Sequence, residues 1–221
     1  FIDLMVEERL KGKPLAYLIG EKGFWKNNFI VTPDVLVPRP ETETLVDAIL
    51  NENLQGKTLL ELGTGSGAIS ISIAQENKDC FIFATDISIK SILVAKQNAE
   101  KFCCENIIFL NHDWNSEWLF PQVDYLISNP PYVNKEATTG KEEGIWHEPE
   151  KALFSKDKGL SDLKLILTKG KNFLNENGKV YLEHAPDQYE ELNKFAVEKG
   201  YPNFSNLNDL NGDKRVSIYQ C

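Results

Sequence analysis

The sequence predicts an α/β fold: a mostly parallel sheet of seven strands with an antiparallel edge, led by a short helix and a hairpin. Three observations carry this. From Lys57 onward, strand-length apolar runs alternate with helical patterns across short connections, which builds a parallel sheet covered on both faces. The first of those strands runs directly into a glycine-rich turn that opens a helix. The last two strands are joined by a loop with no helix, so they pair antiparallel at one edge.

Taken in order, Ile2, Met5, Val6 and Leu10 share one face of a helix over residues 1–11, which Gly12 ends. Residues 22–31 read as a hairpin: Phe24-Trp25, a Lys-Asn-Asn turn, then Phe29-Ile30-Val31. Pro38 and Pro40 punctuate a loop before a helix over 41–53, whose acidic first turn suits the positive end of a helix dipole. Strands are expected at 58–62, 80–85, 106–110, 123–128, 178–183, 203–207 and 214–219. Helices are expected at 66–76, 88–102, 160–174 and 186–199. There are no internal repeats and no low-complexity segments.

With 221 residues, 42% of them hydrophobic, the chain can bury one substantial core plus a small appendage. It opens with Phe1 in the middle of an amphipathic pattern, so an N-terminal part is expected to precede it. No apolar run is long enough to span a bilayer and no signal-peptide pattern is present, which predicts a cytoplasmic protein without a membrane partner. Twenty-four basic against 33 acidic residues leave a net charge of −9, which argues against direct nucleic-acid binding and toward a protein or small-molecule substrate. Lys156, Lys158, Lys164, Lys169 and Lys171 cluster in sequence and are expected to form a solvated face. Cys80, Cys103, Cys104 and Cys221 make no Cys-x-x-Cys pair, and His112, His147 and His184 lie far apart; free thiols and no metal are expected.

Strand 58–62 leads into Gly63-Thr64-Gly65-Ser66-Gly67-Ala68. Glycines there let backbone N–H groups approach a ligand at a helix N-terminus. The next strand ends at Asp86, 23 residues after Gly63, where a carboxylate can accept both hydroxyls of an adenosine ribose. This pattern also satisfies a loose dinucleotide fingerprint, so it specifies a nucleotide-type cofactor without choosing one. Glu61 lies two residues before the first glycine, where it could engage a cationic amino-acid end. Asp113-Trp114 follows the third strand, where the indole could flank adenine. Both favour S-adenosylmethionine.

The deciding element is Asn129-Pro130-Pro131-Tyr132, at the end of strand 123–128. Consecutive prolines cannot donate ladder hydrogen bonds, so they end the strand at the rim of the cleft. The Asn129 side-chain oxygen and the Pro130 carbonyl are left as acceptors for the two donors of a planar NH₂ group, and Tyr132 supplies an aromatic wall. No Ser-His-Asp or Cys-His arrangement suggests another chemistry.

This tetrapeptide resembles that of methyltransferases acting on exocyclic or amide nitrogens, among them DNA N6-adenine and protein glutamine N5-methyltransferases. The resemblance becomes closer along nearly the whole chain. Pro14-Leu15-Ala16-Tyr17-Leu18-Ile19-Gly20 looks like the linker of the release factor glutamine methyltransferase family. Pro38-Arg39-Pro40-Glu41-Thr42-Glu43 matches a motif of that family, one that the related ribosomal-protein glutamine methyltransferases usually replace. His147-Glu148-Pro149-x-x-Ala152-Leu153, Leu182-Glu183-His184 with Gln188, and Asp209-Leu210-x-Gly212-x-x-Arg215-Val216 fall where the family has similar segments. There are departures: Glu143–His147 lacks an arginine common in the family, and Ala185-Pro186 replaces a more usual glycine.

The resemblance implies a Rossmann-like class I S-adenosylmethionine-dependent methyltransferase, with residues 1–19 a remnant of an N-terminal helical domain and linker and 20–221 the methyltransferase domain with its hairpin. It implies S-adenosyl-L-methionine as cofactor and S-adenosyl-L-homocysteine as product. The implied reaction is N5-methylation of the glutamine in the Gly-Gly-Gln motif of class 1 peptide chain release factors, by a monomeric enzyme. The alternatives are a ribosomal-protein glutamine methyltransferase and an N6-adenine nucleic-acid methyltransferase. Cofactor contacts carry over to Gly63, Thr64, Gly65, Ser66, Gly67, Asp86, Trp114 and Asn129, beside Glu61 and Asp113. Catalysis falls to Asn129, Pro130 and Tyr132, and substrate binding to these with Pro131. Arg39, Glu41 and Glu43 are expected to shape the substrate pocket, with Glu148 in a similar position.

Overall fold

The computed structural model describes residues 2–138 and 145–221. Glu143 and Gly144, part of the departure at 143–147, lie outside the described residues.

The chain opens with α1 (Ile2–Leu10) and α2 (Leu15–Ile19), followed by a hairpin of β1 (Glu21–Phe24) and β2 (Asn27–Ile30). A 3-10 turn, Pro40–Thr42, leads into α3 (Glu43–Leu50). Then come β3 (Thr58–Leu62), α4 (Ala68–Glu76), β4 (Phe81–Asp86), α5 (Ile89–Lys101), β5 (Ile107–Asn111) and β6 (Val123–Ser128). Short pieces follow the prolines: β7 (Val133–Asn134), then α6 (Glu150–Leu153) and β8 (Phe154–Ser155), which pairs parallel with β7. The chain closes with α7 (Ser161–Gly170), β9 (Leu174–Glu183), α8 (Tyr189–Glu198), β10 (Asn203–Asn208) and β11 (Lys214–Gln220).

The main sheet has the order β10-β11-β9-β6-β3-β4-β5, and β11 alone runs against the others. Side chains alternate along each strand, so neighbouring leucines serve opposite cores. Leu59 packs with α3, α4 and the hairpin, whereas Leu60 and Leu62 pack with α7 and α8. From β3 the chain winds outward through β4 and β5, then returns to β6 on the other side of β3. That reversal opens a crevice beyond the carboxyl ends of β3 and β6. Among the described residues, no helix is long and apolar enough to cross a membrane.

All seven expected strands are present, and the antiparallel edge is where the sequence predicts it. Several boundaries differ for local reasons. Phe24 pairs with Asn27, so the hairpin turns at Trp25-Lys26, with Trp25 at a left-handed φ of 53°, rather than at Lys-Asn-Asn. The helix expected from 66 begins at Ala68 because Gly67 sits at φ 82°, outside helical space. The helix expected over 41–53 is α-helical only over 43–50. The one expected to 174 stops at Gly170, and β9 starts early because Leu174 pairs with Val123 ahead of a register shift. The helix α2, read in the sequence as linker, is too short to show periodicity; Tyr17 anchors it by donating to the Val35 carbonyl at 2.5 Å. None of the described residues of α1 is buried.

One side chain ties three elements together. Asn98 of α5 is fully buried; its Oδ1 accepts from the Ile30 amide (2.7 Å), and its Nδ2 donates to the carbonyls of Ile30 (3.0 Å) and Ser66 (2.8 Å). It therefore joins the hairpin, the glycine loop and α5 while satisfying all three backbone groups. Replacing Asn98 with Ala strands those groups, each worth about 1–3 kcal/mol when left buried and unpaired. Urea unfolding of Asn98→Ala is expected to show a loss of about 3 kcal/mol or more; a loss under about 1 kcal/mol would contradict the assigned role.

Candidate active site

The last paired residue of β3, Leu62, stands opposite Ser128, the last of β6, and the Ser128 hydroxyl donates to the Leu62 carbonyl at 2.7 Å. The glycine loop and the Asn-Pro-Pro-Tyr segment therefore leave the sheet side by side. The amides of Gly63 and Thr64 both donate to the Thr85 carbonyl, at 2.9 and 2.8 Å, which fixes the loop to the end of β4.

Three connected features of the crevice meet here. A cavity of about 560 Å³ is lined by Gly63, Gly65, Asp86, Trp114, Asn129 and Pro131, with Pro33 to Leu36 on its far side. A smaller space of about 50 Å³ lies between Arg39, Thr42 and the loop residues Gly63 to Ser66. A third, of about 180 Å³, is lined by Arg39, Pro130, Tyr132, Val133 and Leu153. Asn129 and Leu36 line all three. Leu36 carried no sequence signal, being one apolar residue in a proline-rich loop.

The loop is supported from beneath by Glu61. This carboxyl is fully buried, and its Oε2 accepts from the hydroxyls of Thr64 (2.7 Å) and Ser70. Its Oε1 is buried with no hydrogen-bond partner among the described residues. Burial pushes the carboxyl up to about 7, against the two hydroxyls, and nearby Asp86 adds to the rise. Asp86 Oδ2 accepts from the Gly65 amide (2.9 Å) and Oδ1 from the Ser88 amide (2.8 Å); burial raises this carboxyl too.

Trp114 is held firmly. Its indole Nε1 donates to Asp162 Oδ1 (3.1 Å), and its carbonyl accepts from Trp118 Nε1 and from Lys169 Nζ, both at 2.8 Å. Lys169 also donates to the carbonyls of Asn115 and Ser116. The ring lies so close to Gly63 that a Cβ there would stand 3.2 Å from it. Lys169 thus belongs to the site's support rather than to a solvated face, and Lys164 bridges Asp157 and Glu191 at 2.7 Å each. Asp113 serves its own loop, accepting from the Asn115 amide at 2.8 Å.

At the other wall, Asn129 Nδ2 donates to Thr42 Oγ1 at 3.0 Å. Among the described residues no hydrogen bond ends on Asn129 Oδ1 or on the Pro130 carbonyl. Tyr132 is fixed at both ends: its hydroxyl donates to Glu183 Oε1 (2.9 Å) and its carbonyl accepts from Gln188 Nε2 (2.9 Å). The charged residues of the 38–43 motif divide. Arg39 lines two of the spaces and its Nη2 donates to Glu148 Oε1 at 2.5 Å, while Glu148 Oε2 accepts from the Val37 amide. Glu43 accepts from the Trp25 amide at 2.8 Å and so holds the hairpin; neither it nor Glu41 lines the three spaces that meet at Asn129. The motif member that reaches Asn129 is Thr42.

Comparison with known proteins gives the family. The methyltransferase small domain family model matches residues 40–186. A release factor glutamine methyltransferase of Coxiella burnetii is 38% identical over 217 residues, covering 96% of this chain and 77% of that protein. The enzyme of the same name from Escherichia coli is 33% identical over 218 residues, covering 98% and 79%. The chain belongs to the release factor glutamine methyltransferase family. It is an S-adenosylmethionine-dependent methyltransferase. Solved structures bear out the fold: a Pyrococcus furiosus methyltransferase superposes with a TM-score of 0.67 at 19% identity, covering 100% of this chain and 98% of that one. A Thermus thermophilus 16S rRNA N2 G1207 methyltransferase, solved with AdoMet and guanosine, gives 0.65 at 16% identity over 90% of this chain and 49% of that one.

The state of Glu61 has a measurable consequence. Unfolded, it titrates near 4.5; folded, near 7, so between those values the native chain holds a proton that the unfolded chain has released. Stability therefore falls as pH rises through this window, by roughly 3 kcal/mol from this group alone, and levels off above it. Melting temperatures of the parent and Glu61→Gln from pH 5 to 8 are expected to differ by such a slope, present in the parent and missing from the variant. Parallel curves would contradict the assignment.

Proposed function

We propose that this enzyme methylates the side-chain N5 nitrogen of the glutamine in the Gly-Gly-Gln motif of class 1 peptide chain release factors. The observation that carries the reading is Asn129. It borders the cofactor-sized cavity and the smaller space beside Tyr132 at once, and its amide oxygen carries no hydrogen bond among the described residues. The names of its relatives, and identities of 33–38% along nearly the whole chain, supply the substrate class.

The residues of the larger cavity fit S-adenosylmethionine. Its volume of about 560 Å³ suits a ligand of nucleoside size. The orphaned Glu61 Oε1 is a buried carboxyl oxygen beneath the loop with no partner among the described residues, a group that a bound ammonium would favour in its charged form. Asp86 would hold the ribose hydroxyls, the glycine loop, whose Ser66 amide is unbonded among the described residues, would face the amino-acid end, and Trp114 would flank the adenine. When bound, the cofactor supplies an electrophilic methyl group on a positively charged sulfur.

The chain's own work is on the nucleophile. An amide nitrogen is a poor nucleophile because its lone pair is shared with the carbonyl. Asn129 Oδ1 and the Pro130 carbonyl each accept one of its N–H bonds, which fixes the plane of the group and returns electron density to nitrogen. Tyr132, immobilised at both ends, forms the flat wall beside it. Positioning of this kind can supply up to about 7–11 kcal/mol toward an in-line displacement. The alkylated nitrogen is acidic and loses its proton without a strong base.

The test is incubation with S-adenosylmethionine and an unmodified release factor, followed by peptide mass spectrometry, with ribosomal protein and duplex DNA in parallel. One methyl on the glutamine of the Gly-Gly-Gln peptide is expected. Asn129→Ala is expected to slow transfer by about 10²-fold or more with the fold intact. Asp86→Ala is expected to weaken cofactor binding in calorimetry. Label on another sample in place of the release factor would refute the substrate, and an Asn129→Ala rate within a few-fold of the parent would refute the catalytic role.

A further inference from the structure

The Asn129 amide is bonded to a hydroxyl of the 38–43 motif. Asn129 donates through Nδ2 to Thr42 Oγ1, so this hydroxyl oxygen acts as an acceptor there. A threonine hydroxyl carries one proton, which must then point elsewhere. Beside it lies the carboxyl of Glu183, at the end of β9 and fully buried. Glu183 Oε1 takes the Tyr132 hydroxyl, and Oε2 is buried with no partner among the described residues.

We propose that Glu183 is a positioning residue for methyl transfer: its carboxylate draws the Thr42 proton toward itself, and this forces Asn129 to turn its oxygen to the substrate amide. The same carboxylate anchors the Tyr132 hydroxyl, so one buried anion sets both walls of the nucleophile's seat. The inference rests on the proposed function, since it concerns how the amide acceptor is aimed. Its logic is the polarity of the hydrogen-bond chain. With an anion at Glu183, the hydroxyl donates to it and accepts from Asn129. With a proton or an NH₂ group at Oε2, the hydroxyl accepts from residue 183 and donates to Asn129. Asn129 then flips, and its own NH₂ faces the NH₂ of the substrate, donor against donor.

The charged and titratable neighbours of Glu183 come from three directions. Tyr132 donates to it, Arg215 on β11 favours its charged form, and Glu41 on the 3-10 turn opposes it. Arg215 is in turn held by Asp209 at 3.1 Å. Burial is the largest influence and raises the Glu183 carboxyl above the ordinary range, with the Thr42 and Tyr132 hydroxyls resisting. Protonation from the acid side therefore removes the anion that aims Asn129, and the rate should fall as pH falls through that titration.

The experiment measures kcat and KM for a Gly-Gly-Gln peptide, cofactor affinity by calorimetry, and melting temperature, in the parent, Glu183→Gln, Thr42→Val and Thr42→Ser. Expected is a drop in kcat of about 10²-fold in Glu183→Gln and Thr42→Val, as for misplaced reacting groups, with cofactor affinity within about twofold. Thr42→Ser, which keeps the hydroxyl, should recover most of the loss. The acid limb of the kcat profile should be present in the parent and absent from Glu183→Gln. Should Glu183→Gln fail to fold, the Thr42 pair decides. Rates within about twofold of the parent in Thr42→Val, or a Thr42→Ser as slow as Thr42→Val, would overturn the inference, because the hydroxyl would then be packing or nothing. A parent that methylates no glutamine peptide would overturn the proposed function and the inference together, whereas an active parent with unaffected variants would remove only the inference.

Discussion

The register of β3 against β6 is the constraint from which the site follows. Parallel neighbours that end on the same level release their next residues into the same crevice, and here Leu62 and Ser128 are that last pair, joined by a side-chain hydrogen bond. One strand then delivers a glycine turn and the other a pair of prolines. The turn commits amides to Thr85, Asp86 and its own Thr64, which fixes its shape, while the prolines leave the Pro130 carbonyl without a hydrogen bond among the described residues. A slip of one residue in a parallel pair would send every following side chain to the opposite face, and Asn129 would no longer border both spaces.

Beneath each loop sits a fully buried carboxyl, Glu61 under the glycines and Glu183 under the prolines. Glu61 holds two hydroxyls on one oxygen and Glu183 holds one, and in each the other oxygen is unpartnered among the described residues. An unsatisfied buried carboxyl is a poor way to stabilise a fold. Its persistence at two points of one crevice, with burial raising both groups, is what a site built for charge and orientation looks like. Elsewhere the polar groups are well matched: Asn98 satisfies three backbone groups and Arg39 ties the proline loop to Glu148.

Much of this was legible in the sequence because it depends on short-range rules. Strand runs such as Thr58–Leu62 and Val123–Ser128, the glycines that end one and the prolines that end the other, are all local signals. What escaped is polar chemistry made by distant pairing. Arg39, Glu41 and Glu43 drew attention in the sequence because they carry charge, yet Thr42 between them is the one bonded to Asn129, 87 residues away. Nothing local marks Asn98 as a three-way anchor or Lys169 as the support of the loop at 114–116. A lysine on an amphipathic helix looks the same whether its end meets water or three carbonyls. Helix ends were misplaced for a related reason: Gly67 and the 3-10 turn at Pro40–Thr42 bend the chain to serve the crevice, against the reading from periodicity alone.

The pinning of Trp114 bears on how long a ligand stays. Its ring and its carbonyl are held by Asp162, Trp118 and Lys169, so the wall exists before anything arrives and little ordering is lost when the cavity fills. In the role proposed for it, this wall reads adenine, which methyl transfer leaves unchanged. In that role it would grip spent cofactor as firmly as fresh. Discrimination between the two would be left to the positive charge on sulfur. An enzyme so built would be slowed by its own product, and its throughput would be coupled to how quickly that product is cleared from its surroundings.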